Sequence, residues 1–77
     1  MKITNFRDMT RTGKNYADWV YTAIVDVTTG FLWWKTTRTE KVTRKYAGYW
    51  WFVSDGKYCP GSIVEELARS YEAKLNG

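Results

Sequence analysis

The sequence predicts an α+β fold in which a three-stranded antiparallel meander packs on one C-terminal helix, all within a single domain of 77 residues. Residues 17–28 alternate in the period-2 pattern of a strand, and residues 60–75 carry apolar side chains at helical spacing. The connections between the predicted strands are short, which favours antiparallel neighbours over parallel ones. A C-terminal helix following such a sheet is expected to bury its apolar stripe on one sheet face.

The first predicted strand covers residues 17–28. One of its two faces is entirely apolar and consists of Trp19, Tyr21, Ala23, Val25 and Val27. The other face is mixed, with Asp26 among β-branched residues. Thr28-Thr29-Gly30 follows and is predicted to form the turn, because glycine adopts positive φ without strain.

Residues 31–44 are predicted to form the second strand, whose polar part from Lys35 onward is expected to be exposed on at least one face. Tyr46-Ala47-Gly48 forms the next predicted turn. Residues 49–54 form the third strand, which is apolar on both faces. Such a strand is typically central in its sheet or covered on both sides. Ser54-Asp55-Gly56 ends it with turn-forming residues.

The predicted helix over residues 60–75 has one apolar stripe, formed by Val64, Leu67, Ala68, Tyr71 and Leu75. Ser62 precedes Glu65 by three residues, the spacing of a capping box. The segment 1–15 is less regular, and it is predicted to be an N-terminal arm or a short extra element. Ile3, Phe6 and Met9 recur three residues apart, which fits a helical turn, while a strand over 3–6 fits equally well.

Composition excludes several kinds of chemistry. The chain has no histidine and a single cysteine, Cys59, so Ser-His-Asp catalysis, Cys-His catalysis and the common histidine-containing zinc sites are ruled out. The Gly13-Lys14 pair lacks the first glycine and the following Ser or Thr of a phosphate-binding loop. We therefore expect a protein that is not an enzyme and that uses no cofactor and no metal, with Cys59 acting as a small buried hydrophobic residue.

No apolar run is long enough to span a bilayer, and the residues after Met1 lack the apolar segment of a secretory signal peptide. Together with the lone cysteine, these features predict a cytoplasmic protein without a membrane partner.

The distribution of aromatic residues points to a binding function. One helix covers one sheet face, yet apolar residues are predicted on both. If residues 28–30 form a three-residue loop, Val27 lies opposite Phe31 and Val25 opposite Trp33 on the helix side. A two-residue loop exchanges Trp33 with Trp34, and the sequence leaves this register open. The third strand would add Trp50 and Phe52, or else Tyr49, Trp51 and Val53, to the uncovered face.

Exposed apolar patches usually mark a contact. The N-terminal arm, a second copy packed sheet to sheet, or a ligand could each cover this one. Nucleic acid is the predicted ligand, with phosphate contacts from cations and base stacking by a tryptophan. The predicted site residues are Lys35, Arg38, Lys41, Arg44, Lys45, Trp34 and Trp50. The element order is similar to that of DNA-binding domains of some integrases and plant ethylene-response factors.

Two other interpretations compete with nucleic acid. The same aromatics could serve a protein-interaction or inhibitory module, including a homodimer, or a sugar-binding face. The cations could also have a purely structural purpose, because lysines on an exposed strand prevent edge-to-edge pairing of sheets.

Overall fold

In the computed structural model, which describes residues 1–31, 33–46, 48–60 and 62–76, the chain forms one antiparallel sheet and one C-terminal helix. The elements are β1 (Lys2–Thr12), β2 (Val20–Phe31), β3 (Trp34–Lys45), β4 (Trp51–Phe52) and α1 (Ile63–Asn76), with a 3-10 turn at Tyr16–Asp18. The strand order β1-β2-β3-β4 follows the chain, so the sheet is a meander. The predicted α+β class is confirmed, with four strands where three were expected.

The additional strand is β1, and its irregularity explains why the sequence pattern was ambiguous. Register shifts between Thr4 and Arg7 and between Arg7 and Thr10 each add one residue to β1 relative to β2. The residues within these bulges, Asn5 and Asp8, have φ of 56° and 54°. Asn and Asp tolerate this left-handed conformation better than most residues. Two bulges turn the period of 2 into a period of 3, which places Ile3, Phe6 and Met9 on the core side of the strand.

The β2–β3 hairpin turns later in the chain than predicted. Phe31 pairs with Trp34, so two residues connect the strands, and Thr28-Thr29-Gly30 belongs to β2. Leu32, the first connecting residue, lies outside the described residues. Gly30 does have positive φ, 134°, and a Cβ there would lie 2.1 Å from the carbonyl oxygen of Trp34. The glycine therefore marks a close backbone approach inside the ladder and not the turn itself.

This register overturns the pairing that the three-residue loop implied. Val27 lies opposite Arg38, and Val25 lies opposite Glu40. The apolar stretch of β2 therefore faces the polar half of β3, whose side chains are less buried than those of β2.

The third predicted strand is much shorter than expected. Of residues 49–54, Trp51 and Phe52 form the strand β4 beside β3, and the Val53 N–H adds one backbone hydrogen bond to the Lys41 carbonyl (3.0 Å). β4 is therefore an edge strand and not a central one. The chain turns back at once, because the Phe52 N–H donates to the Lys57 carbonyl (2.8 Å) and the Gly56 N–H to the Phe52 carbonyl (2.9 Å). The apolar side chains on the two faces of β4 are buried to different extents. Phe52 lies in the core, and Trp51 is half-buried on the opposite face.

Helix α1 buries its predicted stripe on the sheet as far as Tyr71. Val64 and Ala68 are buried, and Leu67 and Tyr71 are half-buried against the core, whereas Leu75 is exposed. At its start the Ser62 hydroxyl donates to the Glu66 carboxylate (3.5 Å), which replaces the predicted contact with Glu65. Among the residues that the structure describes, the core contains nine buried apolar side chains, Ile3, Ala23, Val25, Val27, Val42, Trp50, Phe52, Val64 and Ala68.

Candidate nucleic-acid interface

The strand register assigns each paired residue to one of two sheet faces, because directly opposite residues in antiparallel strands share a face. Ala23 and Val42 are paired and buried, and they define the face that α1 covers. We call the opposite face the lysine face. Its cationic side chains at paired positions are Lys2, Arg7, Lys35, Lys41 and Lys45.

At the paired positions of β1, β2 and β3, the lysine face carries no aromatic side chain, which contradicts the expectation of a large aromatic group there. Apart from Val20 and Ile24, these positions are polar or glycine. Threonines pair across the strands through their hydroxyls, Thr10 with Thr22 (2.6 Å) and Thr28 with Thr37 (2.9 Å). The Thr39 hydroxyl donates to the Asp26 carboxylate at 3.5 Å. The physical reason is the register of the hairpin. The two-residue connection places Trp34 on the helix side and leaves Lys35, Thr37 and Thr39 on the lysine face.

The lysine face carries the whole net charge of the protein. Its paired positions hold five cations, and Asp26 is the single carboxylate among them, an excess of four positive charges. The chain as a whole has 12 Lys and Arg against 8 Asp and Glu, a net charge of +4. The seven cations and seven carboxylates at other positions sum to zero, so the charge excess at the paired positions of the lysine face equals the net charge of the chain.

Asp26 is neutralised within this face. The Arg7 guanidinium lies 3.2 Å from its carboxylate, and the Asn5 amide donates to it at 3.0 Å. The hydrogen bond from Asn5 and the contact with Arg7 lower the pKa of Asp26 below its usual value, against an opposing effect of partial desolvation. The ion pairs among the described residues are Arg7–Asp26 and Arg38–Glu40. Neither pair includes a lysine of the lysine face.

The two predicted arginines lie on the other face. Arg38 pairs with Glu40 at 3.4 Å. The Arg44 guanidinium is half-buried and lies 4.9 Å from the centre of the Tyr21 ring and 5.7 Å from that of Trp50. The structure thus separates the predicted cations, with Lys35, Lys41 and Lys45 on the lysine face and both arginines on the helix side.

The two predicted stacking residues also differ in position. Trp50 is 3% exposed and packs edge-to-face on Phe6, with ring centroids 5.6 Å apart. A ring in the core cannot stack on a base, so Trp50 does not belong to the candidate interface. Trp34 is 69% exposed beside the hairpin connection, and its pairing with Phe31 places it on the helix side.

An aromatic groove adjoins the lysine face where β3 meets β4. It is lined by Lys45, Gly48, Tyr49, Trp51 and Tyr58. Trp51 pairs with Thr43 on the lysine face and bridges Tyr58 on its other side. The Tyr49 and Tyr58 rings are perpendicular, 6.4 Å apart, and 73% and 70% exposed.

Sequence reasoning found only part of this groove. The set Tyr49, Trp51 and Val53 was one of two alternatives for the uncovered face, and no role was predicted for Tyr58. The signal that could have found Tyr58 is Asp55-Gly56, since a tight turn after Phe52 brings the following residues back beside Trp51.

Cys59 packs against the core, half-buried. Desolvation, with a smaller contribution from the negative charge of Asp55, raises the pKa of its thiol to about 11. The thiol is therefore protonated at neutral pH and is a poor nucleophile.

Within the described ranges, no three His, Cys, Asp or Glu side chains gather as a metal site requires. The helices in those ranges are too short or too polar to cross a bilayer. Comparison with known protein families, curated proteins and solved structures finds no match to this chain.

Proposed function

We propose that this protein binds nucleic acid across the lysine face. The observation that supports it is the charge partition, in which the paired positions of one sheet face hold an excess of four positive charges while the other charged residues sum to zero. A polyanion is attracted to such a face from a distance and is oriented by it before contact.

The chemistry of the face suits a phosphate backbone. Lys2, Lys35, Lys41 and Lys45 are exposed, and each ammonium group can contact a phosphate oxygen directly. The threonine hydroxyls between them can donate to further phosphate or sugar oxygens. These contacts are independent of base sequence, so the lysine face alone supplies affinity and position without specificity.

The aromatic groove supplies a second kind of contact. The exposed rings of Tyr49 and Tyr58 and the half-buried Trp51 lie next to Lys45. Unpaired bases stack on such rings with a gain of about 1–3 kcal/mol per base. A nucleic-acid strand that crosses the lysine face and places an unpaired base in this groove would make both phosphate and stacking contacts. This arrangement favours single-stranded over duplex nucleic acid.

The alternative of a sheet-to-sheet homodimer is disfavoured by the same charge. Two lysine faces pressed together bring like charges into contact, which costs free energy. A protein-interaction module on this surface requires a partner with an acidic contact surface, and it remains the competing prediction. The cytoplasmic location and the absence of enzymatic activity also stay predictions.

The test compares two double variants with the same change in charge. Lys41→Glu with Lys45→Glu reverses two cations of the lysine face, and Arg69→Glu with Lys74→Glu reverses two exposed cations of α1. Binding to a fluorescent single-stranded oligonucleotide is followed by anisotropy. We expect the first variant to lose binding and the second to keep most of it, because the lysine face makes the contacts.

Equal losses in the two variants would contradict the proposal, since they would mean that net charge alone governs binding. So would wild-type protein that binds neither single-stranded nor duplex oligonucleotide at micromolar concentration and low salt. Circular dichroism of both variants establishes that the fold is intact.

A further inference from the structure

A shallow pocket lies at the end of the lysine face opposite to the aromatic groove, beside the β2–β3 connection. It has a volume of about 170 Å³ and is lined by Met1, Lys2, Thr28, Thr29, Gly30 and Lys35. We call it the tip pocket. Lys2 and Lys35 are exposed, and among the described residues no carboxylate belongs to the lining.

The lining of the tip pocket suits a phosphate group. Lys2 and Lys35 supply two ammonium groups, which bind phosphate oxygens as point charges. Gly30 pairs with Lys35 and adds backbone but no side chain to the lining. Trp33 and Trp34 are exposed at the same end of the hairpin, yet neither belongs to the lining. The tip pocket therefore offers charge without an aromatic ring, whereas the aromatic groove offers rings beside one lysine.

The two sites are joined by one strand of the sheet. Lys35 lines the tip pocket, Lys45 lines the aromatic groove, and both belong to β3 and to the lysine face. Their separation of ten residues along β3 corresponds to about 34 Å in an antiparallel strand. A nucleic-acid strand advances about 3.4 Å per nucleotide when stacked as in a duplex and roughly twice that when extended, so this distance takes about five to ten nucleotides.

The surface between the two sites allows a polyanion to cross. Lys41 is exposed there, and Asp26, the single carboxylate at the paired positions, already contacts Arg7 and Asn5. The paired positions of this face carry no aromatic side chain on β1, β2 or β3. This middle section can therefore contact phosphates and sugars, but it gives bases no ring on which to stack.

We propose that one nucleic-acid strand is held at both ends of the lysine face, by a phosphate in the tip pocket and by an unpaired base in the aromatic groove. This binding mode rests on the proposed function and specifies its ligand, a single strand of at least about five to ten nucleotides. Attachment at one end raises the effective concentration of the strand at the other end, so two weak sites act together. A shorter strand reaches only one of them.

A length series of fluorescent oligothymidines, from about 4 to about 16 nucleotides, tests the two-site mode by anisotropy at low salt. The Kd of the wild type should fall roughly tenfold or more between about 4 and about 10 nucleotides, because the second site is reached within that interval. Beyond it, the Kd should fall only in proportion to the number of positions at which the protein can bind.

The double variant Lys2→Ala with Lys35→Ala removes both cations of the tip pocket. We expect its Kd to rise roughly tenfold or more for an oligonucleotide of about 12 nucleotides and about twofold at most for one of about 4, which can still use the groove. Arg69→Ala with Lys74→Ala removes the same charge from exposed positions of α1 and is the matched control. It should change neither Kd by more than about twofold.

Removal of single bases distinguishes the two ends of the bound strand. In the shortest oligonucleotide with full affinity, an abasic site at one terminus should raise the Kd roughly fivefold or more, because one stacked base is lost from the groove. Abasic sites at the centre and at the other terminus should have little effect. In Tyr58→Ala the effect of the sensitive terminus should be reduced.

A Kd that falls by the same factor with every added nucleotide would overturn the two-site mode. So would a tip-pocket variant that weakens short and long oligonucleotides equally, or one that behaves like the α1 control. Each of these results leaves binding across the lysine face intact. The proposed function itself fails only if the wild type binds no oligonucleotide, or if charge reversal at Lys41 and Lys45 costs no more than reversal at Arg69 and Lys74.

Discussion

Two residues on β1, Asn5 and Asp8, determine how the N-terminal segment joins the sheet. Both have positive φ and both belong to bulges that add a residue to the strand. Without these bulges, Phe6 and Met9 could not both face the core with Ile3, since they lie three and six residues along the chain. The local conformation of two polar residues therefore determines which apolar side chains β1 buries.

We expect Asp8→Val to lower the free energy of unfolding by about 1–2 kcal/mol, because a side chain with a branched Cβ is strained in the left-handed region. Asp8→Gly should leave stability nearly unchanged or slightly raised, since glycine adopts this conformation freely. Urea unfolding followed by tryptophan fluorescence measures both. Equal losses would mean that the Asp8 side chain, and not its backbone conformation, is what matters.

At the candidate interface, the sequence predicted the exposure of some residues but not which sheet face each residue occupies. Lys35 and Lys41 are exposed, as predicted for the polar part of the second strand, and Lys45 lies one residue beyond the end predicted for that strand. Alternation along β3 puts the three lysines on one face. The same alternation puts Arg38 and Arg44 on the opposite face, and the hairpin register decides which of the two faces the helix covers. A shift of one residue exchanges the two faces of a strand, and the choice depends on where the connection begins.

At the scale of elements, the hairpin β2–β3 is the framework of the molecule. Its twelve-residue strands pair from Val20–Lys45 to Phe31–Trp34 without a break in register. The close approach at Gly30 permits that pairing next to a two-residue connection. The hairpin in turn supplies three of the five cationic side chains at the paired positions of the lysine face.

We expect Gly30→Ala to destabilise the protein more than Gly56→Ala. Both glycines have positive φ, and a new Cβ at Gly56 meets no atom within 4 Å, so its cost is conformational, about 1–2 kcal/mol. At position 30 the Cβ would also overlap the Trp34 carbonyl oxygen, and the ladder must shift. Equal midpoints of urea unfolding in the two variants would contradict this account of Gly30.

The sequence predicted the elements better than their lengths and neighbours. The α1 stripe and the strand character of β2 follow from local periodicity, and both are confirmed through residues such as Val64 and Val25. The shortness of β4 does not follow from periodicity, because Trp50 to Val53 are strongly apolar. It results from the reversal at Asp55-Gly56, which competes with continued pairing to β3. The bulges in β1 interrupt its period-2 pattern, so periodicity alone could not identify that strand either.

For the whole molecule, the division of charge between the two sides has a measurable consequence. If Lys2, Lys35, Lys41 and Lys45 each contact a phosphate, binding to single-stranded nucleic acid should weaken with salt at a slope of log K against log salt concentration of roughly −3. Arg7 is left out of this set because it is paired with Asp26. The seven cations elsewhere are matched by seven carboxylates and should add little.

Replacing Lys41 and Lys45 by glutamate should bring the slope closer to zero by about the contribution of two phosphate contacts. Replacing Arg69 and Lys74 by glutamate should leave the slope unchanged. The slope separates the two types of contact, because stacking in the aromatic groove depends little on salt while phosphate contacts release counterions. Binding that persists with a slope near zero would assign the affinity to Tyr49, Trp51 and Tyr58 and leave the charge of the lysine face without a role. An equal change of slope in both variants would mean that binding depends on the net charge of the protein and not on the position of the cations on the lysine face.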